Sequence, residues 1–372
     1  TFFTASDGSN ADEDLIVTAG SAVRAGTTAT LLAGDDLLID GGSLVQAGTQ
    51  VTLRGDHTNA DAGTGTRIDI LGTIDSVTNL ITGERDDDIV HLRPEALAGH
   101  TVILGDVDGQ AGGADTMILD RLPTVSTSHD RPGHHPRSGS EVVRDTIDLD
   151  GRGGTDTYVV NVTGGGIGYL VNVHDSGAPD DGADTLTING TGQDDVFLLR
   201  ENFVALLTPN GVGADGQTTF AAPVERINYD RTVNGRLTVT GGDGDDQFYV
   251  DDNSAITTLD GGLGKDLFQI GQVFGTNPNG FQYADGSRPD DARVVADDVQ
   301  NVDLTSASDD IALTRITRGW LSRGTSFALT AFGGEGGDTF NVYSNKAVLR
   351  MEGESGNDTF VIRAFVAEDD II

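Results

Sequence analysis

Apolar residues along this chain recur at every second position in short runs. Phe248 and Val250 sit two apart, as do Phe360 and Ile362. A period of two puts alternate side chains on opposite faces and predicts half-buried strands. Leu37-Leu38-Ile39-Asp40 adds another short strand, and no sustained i, i+3, i+4, i+7 spacing predicts helices anywhere.

The strands follow a repeat. Gly241-Gly242-Asp243-Gly244-Asp245-Asp246-Gln247-Phe248 returns 20 residues later as Gly261-Gly262-Leu263-Gly264-Lys265-Asp266-Leu267-Phe268. Gly333-Gly334-Glu335-Gly336-Gly337-Asp338-Thr339-Phe340 and Gly353-Glu354-Ser355-Gly356-Asn357-Asp358-Thr359-Phe360 form a second pair at the same spacing. A quieter set is Asp88-Ile89-Val90-His91-Leu92-Arg93, Asp195-Val196-Phe197-Leu198-Leu199-Arg200 and Asp310-Ile311-Ala312-Leu313-Thr314-Arg315, each with an Asp immediately before it. Near the start, Val23-Arg24-Ala25-Gly26-Thr27-Thr28-Ala29-Thr30-Leu31 recurs as Val45-Gln46-Ala47-Gly48-Thr49-Gln50-Val51-Thr52-Leu53, a period of 22.

A period near 20 with several short strands fits one coil of a parallel β-solenoid. One coil cannot bury its own apolar face, so coils stack at about 4.8 Å. The expected fold is all-β: a parallel β-solenoid with Asp/Gly turns. Residues 1–80 and 81–372 are expected to form two segments of one continuous stack. Arg121 to Arg144 and Gly271 to Asp291, rich in polar residues and Pro, read as loops projecting from it. The last repeat runs to Ile372 without a polar capping segment, and Thr1 is neither an initiator Met nor the start of a signal peptide. Both features suggest a processed product or a piece of a longer protein.

Composition sharpens this picture. The 372 residues include 52 Gly but only 9 Pro, as many tight turns between strands require. With 59 acidic and 23 basic residues the formal charge is −36, which repels nucleic acid and anionic membranes. Cysteine is absent, so disulfides and thiolate metal sites are excluded. No apolar run reaches membrane-spanning length.

Stacking in register places the repeated Asp residues one above another. Two carboxylates about 5 Å apart repel by roughly 1 kcal/mol in water, and by more near a protein. Calcium, a hard ion that takes six to eight oxygen ligands, removes that repulsion, and glycines let turn carbonyls face the ion. The repeated carboxylates that stacking would bring together are Asp246, Asp266, Asp338 and Asp358, in turns that open with Gly241, Gly261 and Gly333 in the first three. Weaker candidates cluster in Asp106-Val107-Asp108-Gly109 before Asp115, in Asp148-Leu149-Asp150-Gly151 before Asp156, and in Asp180-Asp181-Gly182-Ala183-Asp184.

Gly241 to Tyr249, Gly261 to Gln269 and Gly333 to Asn341 match the nonapeptide G-G-x-G-x-D-x-U-x, and Gly353 to Val361 matches it with Glu354 at the second position. In this the chain resembles the RTX (hemolysin-type) calcium-binding repeat proteins. The resemblance implies that the sixth-position Asp and the first turn carbonyls hold calcium, and that such sites fill after export, where calcium is near millimolar. That family stacks contiguous nonapeptides into 18-residue coils; here they stand singly, 20 residues apart. The 22-residue pair resembles filamentous hemagglutinin-like adhesins, which form right-handed parallel β-helices, so a right-handed coil is expected.

Other signals carry less. Gly211-Val212-Gly213-Ala214-Asp215-Gly216 fits G-x-G-x-x-G but opens no helix. Arg54-Gly55-Asp56 spells an integrin-type tripeptide that chance supplies often, His129, His134 and His135 fall in the first expected loop, and Trp320 is expected to pack at a coil edge. No G-x-S-x-G, H-E-x-x-H or Walker pattern occurs. The expected role is therefore not enzymatic. It is that of a secreted or cell-surface bacterial protein, such as an adhesin, filament or matrix component. Its expected partners are other copies or further repeats of itself and cell-surface glycans, without nucleic acid or membrane insertion. The alternative is a parallel β-helix enzyme acting on polysaccharide, in which clustered carboxylates bridge the substrate through calcium.

Overall fold

The computed structural model describes residues 2–5, 13–57, 63, 65–106, 112–120, 122, 145–164, 169–178, 181–212, 218–221, 224–274, 314–316 and 319–363. All the regular structure among them is β, and no helix is long and apolar enough to cross a membrane. The strands lie in long parallel sheets, as a parallel β-solenoid requires. The chain forms two compact units that divide near residue 187.

The first unit comprises Thr1–Thr163, Ile167–Thr187 and Thr232–Asn234. One of its sheets stacks Leu15–Val17, Leu37–Ile39, Arg67–Ile70, Ile89–Leu92, Thr116–Asp120 and Thr157–Asn161, all parallel. The other stacks Thr28–Ala33, Gln50–Arg54, Thr73–Thr82, Ala96–Leu104, Asp145–Asp150 and Tyr169–His174. The period of 22 read from the sequence is the true register: Val23 pairs with Val45 and Leu31 with Leu53. Alternation then does the rest. Leu31, Leu53, Ile81, Ile103, Leu149 and Val173 form one inward column, each almost fully buried. Their outward neighbours include Thr30, Thr52, Asp148 and Asn172, and some pair across coils, as Asn172 does by donating to Asp148 at 2.6 Å.

The second unit comprises Gly164–Gly166, Ile188–Arg231 and Gly235–Ile372. Arg236–Asp243, Thr257–Gly264, Leu329–Gly336 and Leu349–Glu352 stack in one sheet, and Val196–Arg200, Gln247–Val250, Leu267–Ile270, Thr339–Val342 and Thr359–Ile362 in the other. Here the inward column is aromatic. Phe197, Phe248, Phe268, Phe340 and Phe360 stack ring on ring, with centroids 4.7–5.4 Å apart and planes within 16°. Parallel stacking is interrupted where Val196–Arg200 turns back on Phe203–Leu206, which pairs antiparallel with Glu225–Tyr229, and Pro209–Val212 with Thr218–Phe220 and Thr314–Ile316 with Gly319–Leu321 form separate antiparallel pairs.

The loop expected at Arg121 to Arg144 lies outside the described residues except for Leu122. Most of Gly271 to Asp291 also lies outside them, as do Asp310, His129, His134, His135 and the side chain of Trp320.

Candidate functional site

In each unit the turn joining the two sheets carries the repeated Asp, and stacking sets these turns in a column. The column is bonded in one consistent way. In the second unit the backbone N–H of Asp195 donates to Oδ1 of Asp246 at 2.7 Å, that of Asp246 to Asp266 at 2.8 Å, that of Asp266 to Asp338 at 2.9 Å, and that of Asp338 to Asp358 at 3.1 Å. The first unit repeats the arrangement. Thr66 donates to Asp88, Asp88 to Asp115, Asp115 to Asp156 and Asp156 to Asp184, all at 2.7–2.9 Å, and Asp184 donates to Asn234 Oδ1 at 2.9 Å. Each carboxylate thus ties its coil to the one before it.

The residue preceding the key Asp forms a second row in the opposite sense. Oδ1 of Asp194 accepts from the N–H of Asp245 at 2.8 Å, and Oδ1 of Asp245 accepts from Lys265 at 2.9 Å. Asp87 accepts likewise from Ala114 at 2.8 Å. This explains the Asp-Asp pairs: the exposed member bonds the following coil, and the buried member bonds the preceding one.

The other oxygen of each key Asp faces a glycine. A Cβ added to Gly241, Gly261 or Gly333 would fall within 3 Å of two oxygens: Oδ2 of the Asp in its own turn (Asp246, Asp266 or Asp338) and the carbonyl of the next coil's glycine (Gly261, Gly333 or Gly353). Gly105, with Asp115 Oδ2 and the Gly151 carbonyl, has the same surroundings. Oδ2 of Asp115, Asp156, Asp246, Asp266 and Asp338 is buried and has no hydrogen-bond donor. Asp88 and Asp195 differ: their Oδ2 atoms accept the N–H of Glu84 at 2.9 Å and of Thr191 at 2.6 Å. In the full nonapeptides that residue is Gly242, Gly262 or Gly334, at φ 95–108°, and the carboxyl oxygen has no donor.

A buried carboxyl oxygen without a donor destabilises the ionised carboxylate. Burial, reinforced by neighbouring carboxylates, pushes Asp115 up to about 9, Asp156 and Asp246 to about 7 and Asp266 to about 6. Burial also raises Asp338. The donors are all oxygen, with no sulfur or imidazole, which suits a proton or a hard cation between carboxyl and carbonyl.

The structure therefore brings Asp246, Asp266, Asp338 and Asp358 into one column with Gly241, Gly261 and Gly333, and Asp115, Asp156 and Asp184 into another. Asp106 is buried beside Gly112 and Gly113, with Oδ2 lacking a donor, while Asp108 lies outside the described residues. Asp148 is not in a turn. It lies on the outer sheet face, where His100 Nε2 approaches it at 3.3 Å and Asn172 donates to it. Asp150 accepts from the backbone N–H and hydroxyl of Ser176 at 2.9 and 2.7 Å. The Arg54-Gly55-Asp56 tripeptide is built into a coil: Arg54 pairs with Glu84, and Asp56 is buried. Gly211 and Val212 end an exposed strand, and Gly213 to Gly216 lie outside the described residues.

No family model matches this chain, and no curated protein or solved structure matches it.

Two rungs escaped the sequence reading as site residues, Asp88 and Asp195. The usable signal was a glycine five positions earlier, Gly83 and Gly190, the spacing that separates Gly241 from Asp246. That glycine is needed for space. Gly261→Ala would drive a methyl group into Asp266 Oδ2 and the Gly333 carbonyl. It is expected to lower stability by about 1–3 kcal/mol. At Gly192, where a Cβ meets nothing within 4 Å, the same change is expected to be near neutral. The shift in urea midpoint between the two variants checks this.

Proposed function

We propose that this chain is a calcium-stabilised structural repeat protein of the bacterial exterior, serving as a surface adhesin, filament or matrix component rather than as an enzyme. One observation carries the reading: buried carboxyl oxygens without a donor recur beside turn glycines, coil after coil. Such a stack needs a counter-charge from its medium. Calcium outside a cell supplies it, binding oxygen only and in the presence of a net charge of −36. The nonapeptide matches support the same ion at Asp246, Asp266, Asp338 and Asp358. A carboxyl column whose oxygens are committed to backbone N–H groups and coil packing suits a structural role better than a catalytic pair. Partners would be further repeats, other copies of the chain, or surface glycans.

Hydrogen exchange with millimolar calcium and with chelator tests the reading. Calcium is expected to increase protection across Arg236–Ile270 and Leu329–Ile362, and to leave Leu15–Leu53, outside the Asp column, nearly unchanged. Equal protection throughout under both conditions would sink it. Imaging of native material that showed isolated particles cleaving acidic glycans would replace the structural role with the polysaccharide-enzyme alternative.

A further inference from the structure

We propose that Asp156, Asp175 and Asp184 form a calcium site separate from the repeated rungs, built where the first unit's column meets a carboxylate from outside the repeat. Each of the three offers an oxygen within 4.8 Å of the others. Asp156 and Asp184 are ladder members in adjacent coils, only 1% and 2% exposed. Asp175 belongs to no motif; it follows the strand Tyr169–His174 and is aimed into the corner by its backbone, whose N–H donates to Thr232 Oγ1 at 2.8 Å.

One observation besides the clustering points to an ion. Oδ1 of Asp156 is occupied by the N–H of Asp115, so the oxygen it can offer is Oδ2, which is buried and has no donor. Basic side chains nearby are used elsewhere. Arg152 donates to the Asp106 carbonyl at 3.1 Å and lies 3.8 Å from Asp150, and His174 faces Asp150 at 3.7 Å.

Three carboxylates with no nitrogen or sulfur ligand select a hard divalent ion, and an irregular oxygen cage favours calcium over the strictly octahedral magnesium. The inference rests on the preceding reading only for the identity of the ion. At this corner a side chain from outside the repeat would join the column through a metal.

Tyr158 provides a local reporter. Its hydroxyl accepts the N–H of Gly151 at 2.7 Å, and Asp156 Oδ2 packs on the same glycine. Terbium added to the whole chain, with tyrosine excited, is expected to give sensitised emission that calcium displaces and equimolar magnesium does not. Tyr158→Phe should remove most of that emission. Asp175→Asn, which keeps an acceptor for the Gly177 N–H, should weaken calcium at one site by about tenfold or more. The other sites, followed by calorimetry, should be unaffected. Emission unchanged in Tyr158→Phe would place the ion elsewhere and overturn the site. Unaltered calcium binding in Asp175→Asn would also overturn it while leaving calcium at the rungs intact. Failure of the wild-type chain to bind any ion would remove both proposals. The terbium titration of the wild-type chain needs no variant to fold.

Discussion

Asp266→Ala is expected to lower the unfolding free energy by about 2–3 kcal/mol, and Asp266→Asn by much less when both are measured in chelator. Alanine strips the acceptor from the N–H of Asp246, which is buried and has Asp266 Oδ1 as its partner at 2.8 Å. Asparagine keeps that acceptor. It also places an NH₂ at the position of Oδ2, which is buried and has no donor, beside Gly261 and near the Gly333 carbonyl. Calcium should then reverse the comparison. The wild-type chain gains stability from the ion, whereas Asp266→Asn has lost the charged ligand and gains less. Urea unfolding of the three proteins, with and without calcium, separates these contributions. Equal damage from Ala and Asn in chelator would show that the oxygen facing Gly333 needs no donor.

The second large effect is on pH dependence. In chelator, stability is expected to fall steadily from about pH 4 to pH 9. The sign follows from proton counting. An unfolded Asp loses its proton near 3.8, whereas burial holds the folded carboxyls of Asp266 and Asp106 to about 6, Asp88, Asp156 and Asp246 to about 7 and Asp115 to about 9. Across that window the folded chain binds more protons than the unfolded one, so raising the pH favours unfolding. Saturating calcium should reverse the slope, because an ion held by ionised carboxylates lowers their folded pKa values and competes with protons. Melting temperatures between pH 4 and pH 9 in each medium test this. A chelated protein that became more stable as the pH rose would contradict the buried, donor-less carboxyls.

Much of the fold was legible because its rules are local and repeated. Alternation at Phe248 and Val250 gave the strand and its inward face, and the 22-residue spacing from Val23 to Val45 gave the register directly. Less legible was the antiparallel excursion at Val196–Leu206. Its signal was present, two apolar runs broken by Glu201-Asn202, yet a short apolar run states no strand direction. The site was half legible. Glycine–aspartate spacing identified the column, but whether an Asp oxygen turns to a backbone N–H depends on the coil beside it, which lies 51 residues away at Asp195 and 72 at Asp266. Asp175 had no sequence signal at all. Nothing in its neighbourhood repeats, and only the fold brings it to Asp156 and Asp184.

The rung from Asp266 to Asp338 differs from its neighbours in one respect. The rungs on either side of it join residues 20 apart, and this one joins residues 72 apart, yet its bond of 2.9 Å lies between theirs of 2.8 and 3.1 Å and Phe268 stacks on Phe340 as the neighbouring rings do. Each coil takes its register from the coil it touches, not from the length of chain between them. The column therefore works as a docking rail with an open socket at this corner. Evolution or an engineer can lengthen the connecting chain from a tight turn to a cargo-sized insert while the coils on either side still lock together.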